Sequence, residues 1–139
     1  MKPLNRRISR LDALHHWHNV IIAMIRDDGP VLSPRQMAIM LAVYLHDEPH
    51  TVRSLAAHLK VTKAVITRAL DTLGRQKLIQ RCADPKDRRS ITVARTPLGS
   101  RFLSGFADNI ITNLPQSGLE IVDLVTVSDT EPSHRSQVQ

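Results

Sequence analysis

The chain has 139 residues, the length of a single domain, with 42% hydrophobic and 23% charged residues; a buried core is expected, a two-domain enzyme is not, and wholesale disorder is excluded. Nineteen Lys and Arg against 13 Asp and Glu leave a net charge of +6, which points to an anionic partner, nucleic acid or a membrane surface. The single cysteine, Cys82, rules out an intramolecular disulfide framework and fits a reducing compartment, so a cytoplasmic location is expected. The longest apolar run, Val20 to Ile25, is too short to span a bilayer, and the basic start runs into His15, His16 and His18. Neither a signal peptide nor a membrane anchor is expected.

Ser9 and Asp12 have the spacing of a helix cap, and Leu11, Leu14, His18, Ile21 and Ile25 then recur at steps of three and four, predicting a first helix from about Leu11 to Arg26. Asp27, Asp28, Gly29 and Pro30 break it. Ser33, Pro34 and Gln36 supply the N-cap, N1 proline and capping-box residue of a second helix, whose one face carries Met37, Met40, Leu41, Tyr44 and Leu45 and which stops before Pro49. Thr51 opens a short helix with Val52, Leu55, Ala56 and Leu59 at core spacing. After a turn at Lys60 and Val61, Thr62 caps a longer helix in which Ile66, Leu70 and Leu73 point inward. Lys63, Ala64, Val65, Thr67, Arg68 and Asp71 lie mainly on its remaining surface, so the pair reads as a helix-turn-helix.

Two β-favouring runs, Leu78 to Cys82 and Ser90 to Arg95, flank a charged loop from Ala83 to Arg89 and predict a hairpin. Thr96 and Pro97 restart a helix carrying Leu98, Phe102, Phe106, Ile110 and Leu114 until Pro115. Leu119 to Val127 is apolar without a clear period, and residues 128–139 have the composition of a disordered tail. Between Lys60 and Arg101 eleven Lys and Arg face three Asp, a net +8 against −2 for everything else. Such concentration on one segment is the electrostatic footprint of a phosphate-docking surface, and the predominance of arginine suits both phosphates and base edges.

This order of elements resembles a winged helix-turn-helix of the MarR family of bacterial transcription regulators. Leu55, Ala56, Leu59, Val61, Thr62, Lys63, Thr67, Arg68, Leu70, Leu73 and Leu78 fall on the family's recognition-region consensus, and Asp84, Pro85, Asp87, Arg88, Arg89, Thr96 and Gly99 on its wing signature. The resemblance implies a mainly α fold with a small β-hairpin wing, a homodimer, and a pseudo-palindromic double-stranded DNA operator as partner. It implies one domain over residues 1–127, with a DNA-binding core at about 32–98 and flanking dimerisation helices. The candidate DNA-binding residues are Thr62, Lys63, Ala64, Val65, Thr67 and Arg68 of the recognition helix with Lys86, Arg88 and Arg89 of the wing; Asp87 matches the family's wing-bracing aspartate, which pairs with arginine. A helix fits the major groove, where Lys63, Thr67 and Arg68 reach base edges or phosphates, and Arg88 or Arg89 suits the negative potential of a narrow minor groove. Repression by promoter occlusion and a small-molecule effector are further expectations from the family.

Three positions and one segment depart from the family pattern. Lys77 stands where a helix-ending glycine is usual, Val65 where a hydroxyl residue is common, Arg95 where a strand residue is normally apolar, and the chain after Leu114 is short and polar for a dimerisation helix. Gly74 is a weak point inside the recognition helix.

No metal or cofactor is expected: His15 and His18, and His46 and His50, have helical spacing, but Pro49 interrupts the second pair and no further ligand is fixed by position, so the histidines are read as solvated or interfacial. His18 falls in the first helix's apolar seam, and Trp17 is read as interface or core. Cys82 reads as a small packed hydrophobe rather than a redox sensor. No nucleophile elbow, phosphate-cradling loop or metal-hydrolase motif is present, so no catalytic residue is expected. The alternative to a regulator is a winged-helix interaction protein that uses its basic face for a protein partner or for DNA without sequence preference.

Overall fold

The computed structural model of the protein describes residues 8–114. Five helices and one hairpin follow in the order α1 (Arg10–Arg26), α2 (Pro34–Leu45), α3 (Val52–Leu59), α4 (Lys63–Arg75), β1 (Ile79–Ala83), β2 (Ile91–Arg95) and α5 (Pro97–Thr112). Each helix starts at a hydroxyl residue that satisfies an otherwise unpaired N–H. The side chains of Ser9, Ser33, Thr51, Thr62 and Thr96 accept from the N–H groups of Asp12, Gln36, Ser54, Val65 and Gly99.

The core gathers Ile39, Met40 and Val43 of α2, Leu55 of α3, Ile66, Leu70 and Leu73 of α4, and Leu78, Ile79 and Val93 of the wing base. The inward row predicted for α4 is fully buried. Because α2 packs against α3, α4 and β2, it also buries Ile39, Ala42 and Val43, which the one-face pattern omits, while Leu45 at its end is 64% exposed. The buried face of α5 is likewise rotated from the predicted row: Leu103 and Phe106 are inside and Leu98 is largely outside. Of α1 only Val20 is buried; Leu11, Leu14, Trp17, Ile21 and Ile25 are exposed. That helix packs against α5, where the ring Nε2 of His16 donates to the carbonyl of Ile110 at 3.0 Å.

The two strands pair antiparallel, with Ile79 opposite Arg95 and Ala83 opposite Ile91. β1 begins one residue later than predicted because Leu78 belongs to the turn that ends α4. An isolated bridge between Thr51 and Thr92, with the N–H of Val93 donating to the His50 carbonyl at 2.8 Å, ties the start of α3 to β2. Tyr44 fastens the other end of the hairpin. Its buried hydroxyl donates to the Leu78 carbonyl at 2.7 Å and accepts the Thr96 N–H at 2.9 Å. The apolar run Leu119 to Val127 and the tail beyond it lie outside the described residues.

Candidate nucleic-acid interface

Helix α4 owes its position to the turn before it. At the end of α3 the N–H of Lys60 donates to Ala57 and that of Val61 to Ala56, with Lys60 in the left-handed region at φ 55°. This 5→2 and 6→1 bonding is a Schellman motif, which satisfies the last carbonyls of α3 and redirects the chain. The same motif ends α4: the N–H of Lys77 donates to Gly74 and that of Leu78 to Leu73, with Lys77 at φ 59°. Lysine thus occupies the left-handed position where glycine is usual.

With Ile66, Ala69, Leu70 and Leu73 buried, α4 turns Lys63, Ala64, Thr67 and Arg68 to solvent, and Val65 is half-buried. Thr62 accepts the Val65 N–H at 3.3 Å, so its hydroxyl proton remains available to an outside acceptor. Thr67 is different: its hydroxyl donates to the Lys63 carbonyl at 3.0 Å, so it offers an incoming group an acceptor oxygen and a methyl. Arg81 of β1 pairs with Asp71 of α4 at 2.7 Å and links the wing to the helix.

The acids of the wing tip bond to the loop's own backbone. Asp84 accepts the Lys86 N–H at 2.9 Å and Asp87 accepts the Arg89 N–H at 3.0 Å, while the N–H of Ser90 donates to the Asp87 carbonyl at 2.9 Å. Asp87 therefore holds the loop through backbone; among the described residues it forms no ion pair with an arginine. Lys86, Arg88 and Arg89 are left exposed.

Between this loop and the helix-turn-helix lies an open groove of about 680 Å³, whose walls include Arg53 and Thr51 of α3's start, Lys63 and Thr67 of α4, and Arg89 of the wing. Arg53 was not among the residues singled out from sequence, because it precedes the basic segment. A signal was present: a cation in a helix's first turn opposes the macrodipole, so helix stability does not account for it.

Not every cation of the basic segment serves this face. Arg81 is paired with Asp71, and Arg101 lines a cavity against α1 on another side. Arg95, the strand residue expected to be apolar, donates to the carbonyls of Val43 at 2.9 Å and His46 at 3.0 Å, and so caps the end of α2. His50 is buried rather than solvated, its Nε2 donating to the His46 carbonyl at 3.1 Å. Cys82 is half-buried on β1. Among the described residues no group of three or more His, Cys, Asp or Glu side chains is arranged to hold a metal ion, and no helix is long and apolar enough to cross a membrane.

Comparison with known proteins agrees with this architecture. The family model for MarR matches residues 32–90, from the start of α2 through the wing loop, whereas no curated protein matches by sequence. Among solved structures, the transcriptional regulator Tm0710 from Thermotoga maritima aligns with a TM-score of 0.58 and 19% identity over 73% of this chain and 66% of its own, so the chain spans just under two thirds of that protein. YusO from Bacillus subtilis gives 0.62 and 22% identity over 73% of this chain and 71% of its own. MepR of S. aureus, in its DNA complex, gives 0.59 and 19% identity over 73% and 78%. The helix-turn-helix and wing at residues 32–90 thus match the MarR family model, and the chain shares the winged helix-turn-helix fold of these solved structures.

Proposed function

We propose that the protein is a homodimeric, sequence-specific transcription repressor that occupies a pseudo-palindromic double-stranded DNA operator in the cytoplasm. One observation carries this: the solvent face of α4, with Lys63, Ala64, Thr67 and Arg68, stands beside a wing tip that exposes Lys86, Arg88 and Arg89. A helix of this kind enters a major groove and the wing reaches the adjacent minor groove, and MepR of S. aureus, which shares the fold, has been solved in complex with DNA. Thr62 and Val65 complete the contact surface, by phosphate bonding and by apolar contact to a thymine methyl.

The dimer is supported by the first helix. Leu11, Leu14, Ile21 and Ile25 are 63%, 67%, 37% and 58% exposed, an apolar row at heptad spacing, with Trp17 exposed beside it, that a soluble monomer would have reason to cover. His18 lies in the same seam. The domain in this reading runs over residues 1–127, with its dimerisation helices flanking the DNA-binding core. A small-molecule effector is received in the cavity of about 450 Å³ between the end of α1, the end of α4 and α5. Met24, Phe102 and Phe106 give it apolar walls, Arg101 a charge, and Gln76 lines it with an Oε1 that is buried without a hydrogen-bond partner.

Fluorescence anisotropy on DNA from upstream of the protein's own gene and on a scrambled duplex tests the proposal. Binding to the native duplex about a thousandfold tighter supports it. Equal, steeply salt-dependent binding to every duplex, including those selected from a random pool, favours the non-regulatory alternative.

A further inference from the structure

In duplex DNA the major and minor grooves are separated by a sugar-phosphate strand, so a protein with a helix in one groove and a hairpin in the next straddles that strand. In this chain the space between the two is the groove framed by α3, α4 and the wing loop. Three cations from three separate elements line it: Arg53 of α3, Lys63 of α4 and Arg89 of the wing, accompanied by the hydroxyl residues Thr51, Thr67 and Ser90. Asp87 also reaches this wall, but its carboxylate is turned to the loop backbone, where it accepts the Arg89 N–H at 3.0 Å.

Arg53 is brought there by construction rather than by chance of rotamer. The strand bridge between Thr51 and Thr92, and the bond from the Val93 N–H to the His50 carbonyl, pin the start of α3 to the base of the wing. Arg53 follows two residues later, exposed, with no ion-pair partner among the described residues. Arg68 and Arg88, by contrast, do not line the groove.

We infer that Arg53, Lys63 and Arg89 form a clamp on the backbone phosphates of the strand between the two grooves, leaving Arg68 and Arg88 to reach base edges. The inference rests on the DNA-binding proposal above. It divides the labour: the clamp sets affinity and register for any sequence, and the residues outside it supply discrimination.

The test is anisotropy with the full chain on a fluorescein-labelled scrambled duplex and on a duplex selected from a random pool by the wild-type protein, each across a salt series. Arg53→Ala is expected to weaken binding to both by the same factor, about tenfold, and to lower the magnitude of the salt slope by about 0.9. Arg53→Lys is expected to keep most of the slope, and both variants to melt at the wild-type temperature. Unchanged affinity and slope in Arg53→Ala would overturn the clamp, as would a loss confined to the selected duplex. If the wild type discriminates no sequence yet Arg53→Ala still lowers the slope, the clamp stands and sequence-specific regulation falls. If the wild type binds neither duplex, both fall.

Discussion

The hydroxyl of Tyr44 accepts the N–H of Thr96 at 2.9 Å while donating to the Leu78 carbonyl, so one buried side chain of α2 holds the end of the wing and the start of α5 together. Tyr44→Phe keeps the ring but leaves a buried donor and a buried acceptor unpaired, which costs roughly 1–3 kcal/mol. Urea denaturation is expected to show a lower midpoint with an unchanged slope. An unchanged midpoint would mean that water replaces the hydroxyl at this junction.

Gly99 belongs to the same junction. A Cβ there would collide with the Tyr44 hydroxyl and the Leu78 carbonyl, so the close approach of α5 requires glycine. Gly99→Ala is expected to destabilise by about 1–3 kcal/mol or more through overpacking, read by the same denaturation. Wild-type stability would show that α5 can move away at no cost.

Elsewhere the chain has room for improvement. Lys60 and Lys77 sit at φ 55° and 59°, where a Cβ costs about 1 kcal/mol, so glycine at either position is expected to stabilise. Gly74 is the reverse case: it is helical, and an added Cβ would meet Ile79 Cδ1 at an ordinary 3.8 Å. Gly74→Ala is expected to contribute up to about 1 kcal/mol, seen as a raised melting temperature. A lowered one would mean that Ile79 cannot accommodate the contact.

Arg95 counts toward the basic segment but its guanidinium is engaged with the C-terminal turn of α2. Arg95→Ala removes two charge-assisted bonds to carbonyls and a cation from a helix C-terminus, a loss of about 1–2 kcal/mol. Its DNA-binding salt slope is expected to stay at the wild-type value. A reduced slope would place this side chain against phosphate.

The difference between Arg95 and Arg68 also marks the boundary of what can be read from sequence. Helix starts were legible because a cap is a local matter: Ser9, Ser33, Thr51, Thr62 and Thr96 each act within three residues of themselves. The inward row of α4 was legible because that helix is buried on one side only. The surroundings of α2 were not, since burial on several faces erases the period that reveals a single face, and neither was the role of Arg95, whose partners are about fifty residues away. Arg53, a cation in a helix's first turn outside the basic segment, carried a local signal, but its destination was not legible. It joins the groove through a bridge from Thr51 to Thr92, a contact that no local pattern announces.

Within the proposed interface, Arg68 and Arg89 should separate by behaviour. Arg68→Ala is expected to weaken operator binding and relax base preference by about 1–3 kcal/mol at one position. Arg89→Ala is expected to lower affinity for all sequences and reduce the salt slope by about 1. Wild-type binding by both variants would remove α4 and the wing as the contact surface.

The most direct test of the central claim is selection of duplexes from a random DNA pool by the full-length protein, followed by sequencing. A dimer reading DNA through α4 and the wing is expected to enrich a pseudo-palindrome whose half-sites lie about one helical turn apart, roughly 10 base pairs. Retention of DNA without enrichment of any sequence would contradict sequence-specific regulation and leave a basic winged-helix scaffold in its place.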